Sequence, residues 1–286
     1  MDEYKTKMMG EISSILLSTD GTDFSDGAVQ EAMFFAQACG AQLKILYVIK
    51  IDQDQEHGAR ALAVVETEKI APYLDSLREM ASSMEIDYEI ILKESFQIEK
   101  TIVDEAVAQK SDVIIMGRRG KKGLLTKLFV GSVTAKVIGF APPKVLVVPK
   151  EVTISGQSLL IALDGSPHSE AAASEAISMC SQCPAISKVV ALSVAESDAQ
   201  LSEAETLVND FKKNLLAKKD SVQVVTITET GTPDAAIIDQ AKAHNVDLVV
   251  MGGYGRTGVK KLLMGSVTEK VVDSAHCGIL VVNIQE

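Results

Sequence analysis

A segment near the carboxyl end of the chain combines glycines and hydroxyls at a spacing suited to phosphate. It reads Gly252-x2-Gly255-x9-Gly265-Ser266 and continues to Thr268. Glycines let backbone N–H groups approach an anion without a Cβ in the way. Ser266 and Thr268 add hydroxyl donors at the start of a predicted helix, whose free N–H groups and dipole favour phosphate. The simpler alternative is an ordinary helix N-cap at Gly265-Ser266.

The same pattern occurs about 135 residues earlier, which weakens the simpler alternative. This copy reads Gly117-x2-Gly120-x10-Gly131-Ser132 and continues to Thr134, with one more residue before the third glycine. Its loop is also more basic, which we interpret as compensation for the extra residue. In both copies an apolar run ends on the first glycine. The repetition predicts two related domains, each with a site for a compact anion.

The rest of each half follows the same repeat. Asp20, in Asp-Gly-Thr after an apolar run, corresponds to Asp164 in Asp-Gly-Ser, and Val48 corresponds to Val194 at the end of a second apolar run. A turn former is the plain explanation of each aspartate, and a core residue is that of each valine. The predicted organisation is a first domain over 1–149, a linker over 150–157 and a second domain over 158–286.

Within each half, short apolar runs alternate with helical patterns. Valine, isoleucine and leucine runs without polar alternation are typical of strands covered on both faces, so the prediction is α/β with two tandem, doubly wound, parallel five-stranded sheets and helices on both faces. In such sheets ligands bind beyond the carboxyl ends of the strands, where both aspartates and both glycine loops fall. The expected strands lie near 12–19, 43–49, 86–92, 112–117, 144–148, 158–163, 187–194, 221–228, 247–252 and 278–283.

Composition and charge argue against several classes of function. The 286 residues carry a formal charge of -11, which argues against nucleic-acid or lipid-surface binding, although basic residues cluster at 118–122 and 256–261. No secretion signal and no run long enough for a membrane helix is evident, so a cytoplasmic location is expected. Cys180 and Cys183 lie near the end of a predicted helix, an unfavourable place for a reactive thiol, so redox or zinc chemistry is not expected.

On these motifs both halves resemble the universal stress protein family in its tandem two-domain form. The family's ATP-binding signature is Gly-x2-Gly-x9-Gly-Ser/Thr, which the second half matches and from which the first departs by one residue. The resemblance implies Rossmann-like sheets in strand order 3-2-1-4-5 and a site for ATP or AMP in one or both halves. It also implies that Val145–Val148 pairs with Ile279–Val282 within the chain, giving an intrachain pseudo-dimer; association of two chains into a homodimer is left open.

The resemblance also implies a role for each matching residue. The aspartates would lie beside the nucleoside, the valines would hold the base, and the Met-Gly pairs would pass under the ribose and α-phosphate. The Gly-Ser-Val-Thr runs would bind the outer phosphates. The residues so implicated are Asp20, Val48, Met116, Gly117, Gly120, Gly131, Ser132, Val133 and Thr134 in the first half, and Asp164, Val194, Met251, Gly252, Gly255, Gly265, Ser266, Val267 and Thr268 in the second.

Other nucleotide motifs fit less well. Gly253-Tyr-Gly255-Arg-Thr-Gly258 has the dinucleotide-binding spacing, but it follows a fourth strand rather than a first. No Gly-x4-Gly-Lys-Ser/Thr string occurs, and Asp20 lacks the glycine pair of the related ATP pyrophosphatases. Slow ATP hydrolysis is the main alternative to binding alone; Asp20 or Asp164 would then hold Mg²⁺, without an evident partner. A third alternative makes one half a scaffold that serves only dimerisation.

Overall fold

The computed structural model describes residues 12–51, 59–118, 131–142, 144–255 and 264–284 of the chain. In both halves strands and helices alternate as predicted. The first half comprises β1 (Ser14–Thr19), α1 (Asp26–Cys39), β2 (Gln42–Lys50), α2 (Ala59–Ser83), β3 (Tyr88–Ser95), α3 (Ile98–Ala108), β4 (Val113–Gly117), α4 (Ser132–Phe140) and β5 (Lys144–Val148).

The second half repeats the order with a shorter second helix. It comprises β6 (Ser158–Leu163), α5 (Pro167–Gln182), β7 (Lys188–Ala195), α6 (Leu201–Leu216), β8 (Gln223–Thr230), α7 (Pro233–Ala243), β9 (Leu248–Gly252), α8 (Ser266–Ser274) and β10 (Gly278–Val282). The helix α2 has 25 residues, whereas its counterpart α6 has 16.

The ten strands form one sheet in the order β3-β2-β1-β4-β5-β10-β9-β6-β7-β8. Each half contributes five parallel strands in the order 3-2-1-4-5, which confirms the predicted fold class. The two halves join where β5 pairs antiparallel with β10, with Leu146 opposite Leu280. This pairing confirms the predicted contact of the terminal strands, and it covers two edges that would otherwise expose unpaired backbone groups.

The two outer strands differ most from the sequence-based expectation. Strand β3 ends at Ser95 rather than near 92, and β8 ends at Thr230 rather than near 228. Their last residues are polar, so the apolar pattern fades before the strand does. They nevertheless continue the ladder with their inner neighbours, since Ser95 is aligned with Lys50 and Thr230 with Ala195.

The core consists of two layers, one on each face of the sheet. One layer packs α1, α2, α5 and α6 against the strands, and it includes the fully buried Phe35 and Met179. The other packs α3, α4, α7 and α8, and it includes Ile102 and Val271. Both layers run across the β5–β10 junction, so the halves share a continuous core. No helix in the described part of the chain is long and apolar enough to cross a membrane.

Each half also holds the end of a helix in the other half. Arg118, just after β4, donates from Nη1 to the carbonyls of Val272 (3.0 Å) and Ala275 (2.6 Å) at the end of α8. Asn283, just after β10, donates from Nδ2 to the carbonyls of Ile138 (2.7 Å) and Ala141 (3.3 Å) at the end of α4. These contacts satisfy carbonyls that a helix cannot pair internally.

Candidate functional site

The turn after β6 holds Asp164 at the carboxyl edge of the sheet. Asp164 Oδ1 accepts a hydrogen bond from the Ser166 N–H (2.9 Å), and the Asp164 N–H donates to Ser169 Oγ (3.1 Å). Ser166 in turn caps α5, because its Oγ accepts from the Ser169 N–H at 3.2 Å. The aspartate is thus the turn former that its type suggests, and it is also fixed in place at the rim where ligands bind.

The glycine loop after β9 holds the first turn of α8 against the same edge. The Gly265 N–H donates to the Gly253 carbonyl (2.9 Å), and Thr268 Oγ1 donates to the Gly252 carbonyl (3.0 Å). Gly265 occupies the N-cap position without a side-chain cap, and the Glu269 N–H donates to its carbonyl. The N–H groups of Ser266, Val267 and Thr268 precede this first helical bond, which is the position at which a helix start can bind an anion.

Two glycines of this loop are required by close approach. A side chain at Gly252 would place its Cβ 2.8 Å from the backbone carbon of His168, at the start of α5. A side chain at Gly255 would place its Cβ 2.8 Å from Asp164 Oδ2. Gly252 therefore lets strand and helix pack, whereas Gly255 keeps clear the space between the loop and the aspartate.

These segments surround a cavity of about 600 Å³ in the second half. Every residue predicted for this half lies in its wall, although these residues come from four separate segments of the chain. Apolar residues outside the motifs, such as Leu192, Ile237 and Met264, also line the cavity. The predicted residues in the wall are Asp164, Val194, Met251, Gly252, Gly255, Gly265, Ser266, Val267 and Thr268.

The wall carries an unequal distribution of charge. Glu196 and Glu203 lie beside Val194 at the β7–α6 end, and Asp164 lies nearer the glycine loop. Among the described residues of the wall none is basic, so within that part an anion is met by N–H groups and hydroxyls at α8. The same residues contain no group of three or more side chains placed to hold a metal ion.

The first half forms the same frame around a much smaller space. Its cavity measures about 140 Å³. The predicted residues in its wall are Asp20, Val48, Met116, Gly117, Gly131, Ser132, Val133 and Thr134. The remaining predicted residue of this half, Gly120, lies outside the described residues. The topology therefore brings together all the described members of the predicted set in each half, but the two cavities differ greatly in volume.

The aspartate of the first half accepts several hydrogen bonds within its own turn. Asp20 Oδ1 accepts from the Thr22 N–H (3.1 Å), from Thr22 Oγ1 (2.6 Å) and from Ser25 Oγ (3.0 Å). Nearby, Tyr47 Oη donates to Glu66 Oε1 of α2 at 3.1 Å. Burial, with Glu66 adding to it, raises the pKa of Tyr47 to about 12, so this phenol stays a neutral donor.

Three residues near the sites escaped sequence reasoning. Ser25 and Ser169 each follow the aspartate by five positions and accept a hydrogen bond from its N–H. Because both serines lie five positions after the aspartate, a comparison of the two copies of the repeat could have identified them. Tyr254 lines the larger cavity and donates from Oη to the Gly139 carbonyl of α4 at 3.1 Å. No local sequence signal indicates a contact between residues so far apart.

The structure also indicates the roles of Arg118 and of the cysteine pair at the end of α5. Arg118, counted among the basic residues around an anion, is turned to the α8 carbonyls, and burial lowers its pKa despite the nearby Asp273. Cys180 and Cys183 are both fully buried at the end of α5, and burial raises the pKa of Cys180 to about 12. An un-ionised, inaccessible thiol fits a packing role.

Comparison with known proteins places this architecture in a defined class. The fold is that of a tandem doubly wound α/β protein with a cleft at the carboxyl ends of the strands of each half. The model of the universal stress protein family matches residues 11–149 and 157–283. The chain therefore belongs to the universal stress protein family, as the glycine signatures predicted.

Individual relatives agree with this assignment. A universal stress protein of Mycolicibacterium smegmatis is 26% identical over 294 residues, covering 94% of this chain and 96% of the relative. One from Methanocaldococcus jannaschii is 32% identical over 140 residues, covering 44% of this chain and 81% of the relative. The crystal structure of a universal stress protein from Archaeoglobus fulgidus has a TM-score of 0.76 at 19% identity, covering 95% and 98% of the two chains, and supports the fold.

Proposed function

We propose that this chain is a nucleotide-responsive stress protein that binds ATP or AMP in the cavity of the second half. The observation that carries the proposal is the convergence of nine predicted residues on one cavity of about 600 Å³. Sites for small ligands and cofactors usually enclose about 300–1,000 Å³, so an adenine nucleotide is of suitable size. The cytoplasmic location expected from the sequence stays a prediction.

The wall supports one orientation of the nucleotide. The apolar region around Val194 and Ile237 suits a base, whose faces gain from burial. Asp164 would then accept from ribose hydroxyls, and the N–H groups and hydroxyls at the start of α8 suit the phosphates. This orientation keeps the phosphates away from Glu196 and Glu203, where they would be repelled.

Mg²⁺ enters the proposal only together with phosphates. Mg²⁺ is commonly held by one or two carboxylates and the phosphates of its nucleotide, and it keeps several waters. Asp164 is the carboxylate of the second half that could take part. Binding without turnover is the form we propose, and steady product formation from labelled ATP that Asp164→Ala abolishes would instead establish slow hydrolysis.

Isothermal titration of the full chain with ATP and AMP tests the proposal. The variant Gly265→Val should lose binding in the second half, because its Cβ would lie 3.0 Å from the Gly253 carbonyl and its methyl groups would enter the phosphate end. Gly131→Val, at the equivalent position of the first half, is the matched control. Absence of ATP and AMP binding by the unmodified chain, or unchanged binding by Gly265→Val, would refute the proposal.

A further inference from the structure

The two halves differ at the place where a nucleobase would enter. The last residue of β1, Thr19, is aligned with Tyr47 of β2, and the last residue of β6, Leu163, is aligned with Ser193 of β7. Tyr47 therefore occupies the position of Ser193. Both residues lie in the walls of their cavities. A phenol thus replaces a hydroxymethyl group next to the valine predicted to hold the base.

The helix that follows the second strand of each half makes a second difference between the two cavities. Four of the described residues of α2 are buried, and they are spaced four, three and four positions apart. Four buried residues of α6 have the same spacing. The four pairs so matched are Ile70 with Ala204, Leu74 with Val208, Leu77 with Phe211 and Ala81 with Leu215. In the second half Ala204 belongs to the cavity wall. In the first half the larger Ile70 occupies that position, and the described wall includes no residue of α2.

The bulky side chains of the first half are held over the turn that carries Asp20. A side chain at Gly21 would place its Cβ 2.5 Å from Ile70 Cδ1 and 3.5 Å from Tyr47 Cε2, so both lie directly on this turn. Tyr73 adds a hydrogen bond of 2.7 Å between its Oη and Thr19 Oγ1. Together with the Tyr47–Glu66 bond, these contacts tie α2 to β1 and β2.

We propose that Tyr47 and Ile70 exclude a nucleobase from the first half, so that the chain binds one nucleotide rather than two. This inference rests on the function proposed above, and it names the two residues that prevent the first half from binding a nucleotide. The ring of Tyr47 and the methyl groups of Ile70 take up the space that Ser193 and Ala204 leave open. A cavity of about 140 Å³ is below the size of usual cofactor sites, whereas its counterpart is well within it.

Exchange of these residues between the halves tests the inference. By titration calorimetry with ATP, we expect one equivalent per unmodified chain. Tyr47→Ser combined with Ile70→Ala should raise the stoichiometry to two, and Ser193→Tyr combined with Ala204→Ile should reduce it to zero. Tyr47→Phe keeps the ring and loses only the hydroxyl, so as the matched control it should leave one equivalent.

The outcomes separate this inference from the function it rests on. No binding by the unmodified chain would refute the proposed nucleotide site and this inference with it. Two equivalents per unmodified chain would refute the inference alone, as would one equivalent lost through Gly131→Val rather than Gly265→Val. Circular dichroism verifies the fold of each variant. A folded Tyr47→Ser/Ile70→Ala variant that still binds one equivalent would refute the role of these two residues, and two equivalents per unmodified chain would refute it even if an exchanged variant does not fold.

Discussion

The two halves share a polar frame and differ in what fills it. Each has an aspartate after the first strand, a serine five positions later that accepts from its N–H, and a glycine at the end of the fourth strand. Inside these equal frames the cavities measure about 140 and 600 Å³. The frame follows from the motifs, whereas the volume depends on neighbours such as Tyr47 and Ala204, which belong to none. A signature motif therefore predicts where a site lies better than it predicts what the site can hold.

The largest difference that we expect to measure between the halves concerns Glu31 and its counterpart Glu175. Glu31, on α1, is 2% exposed, and its Oε1 accepts from the Ile154 N–H at 2.9 Å. Its Oε2 is buried without a hydrogen-bond partner among the described residues. Glu175, on α5, instead accepts from Lys144 Nζ at 2.7 Å. Burial raises the pKa of Glu31 from 4.5 to about 7; the Ile154 bond opposes this, and Asp247 adds to it.

A raised carboxyl pKa means that the folded chain binds more protons than the unfolded chain between pH 4.5 and about 7. The free energy of unfolding should therefore fall as the pH rises through that window, by up to about 3 kcal/mol from this group. Glu31→Gln should remove that fall, whereas Glu175→Gln should keep it. Urea unfolding from pH 4.5 to 8 measures both, and parallel curves for the unmodified chain and Glu31→Gln would contradict the expectation.

The next comparison tests the two residues that reach across the β5–β10 junction. Arg118→Ala removes two charge-assisted hydrogen bonds and leaves the α8 carbonyls unpaired, which should lower the free energy of unfolding by about 2–3 kcal/mol. Asn283→Ala should cost only about 1 kcal/mol, because it also removes Oδ1, which is buried and lacks a partner among the described residues.

Arg78→Ala is the control for loss of an arginine at the surface. Arg78 is about half exposed and pairs with Asp75 one helical turn away, so its loss should change the free energy of unfolding by less than about 0.5 kcal/mol. Urea unfolding at one pH measures all three variants. If Asn283→Ala lowers the free energy of unfolding as much as Arg118→Ala does, the charge of Arg118 does not make its contacts more stabilising than those of Asn283.

Much of this fold was predictable because its determinants are local or repeated. The apolar runs predicted every described strand, and the resemblance to the universal stress protein family predicted the strand order and the antiparallel pairing of β5 with β10. The strand ends at Ser95 and Thr230 were missed because backbone pairing continues through polar residues on outer strands. Pairing of this kind leaves no mark in a hydrophobic pattern.

The position of the candidate site was predictable from the sequence, but the volume of its cavity was not. Asp164 and Ser266 could be placed from the carboxyl ends of strands and the start of a helix. The position of Ile70 over Gly21 depends on how α2 packs, which no local pattern in the sequence indicates. Arg118 was misinterpreted for a similar reason, since its partners Val272 and Ala275 lie more than 150 positions away. Contacts between distant segments decide these roles.

The smallest expected effect compares the serines that begin α4 and α8. Ser132 and Ser266 are both exposed first residues of a helix and both line a cavity. If Ser266 donates to an outer phosphate, Ser266→Ala should weaken ATP binding about fivefold, the equivalent of about 1 kcal/mol. Ser132→Ala should leave ATP affinity unchanged, because Tyr47 and Ile70 keep the base out of the first half. Adenosine, which lacks phosphates, should bind equally to both variants. Calorimetry with ATP and adenosine provides all four affinities, and an equal loss of ATP affinity in the two variants would mean that both halves bind nucleotide.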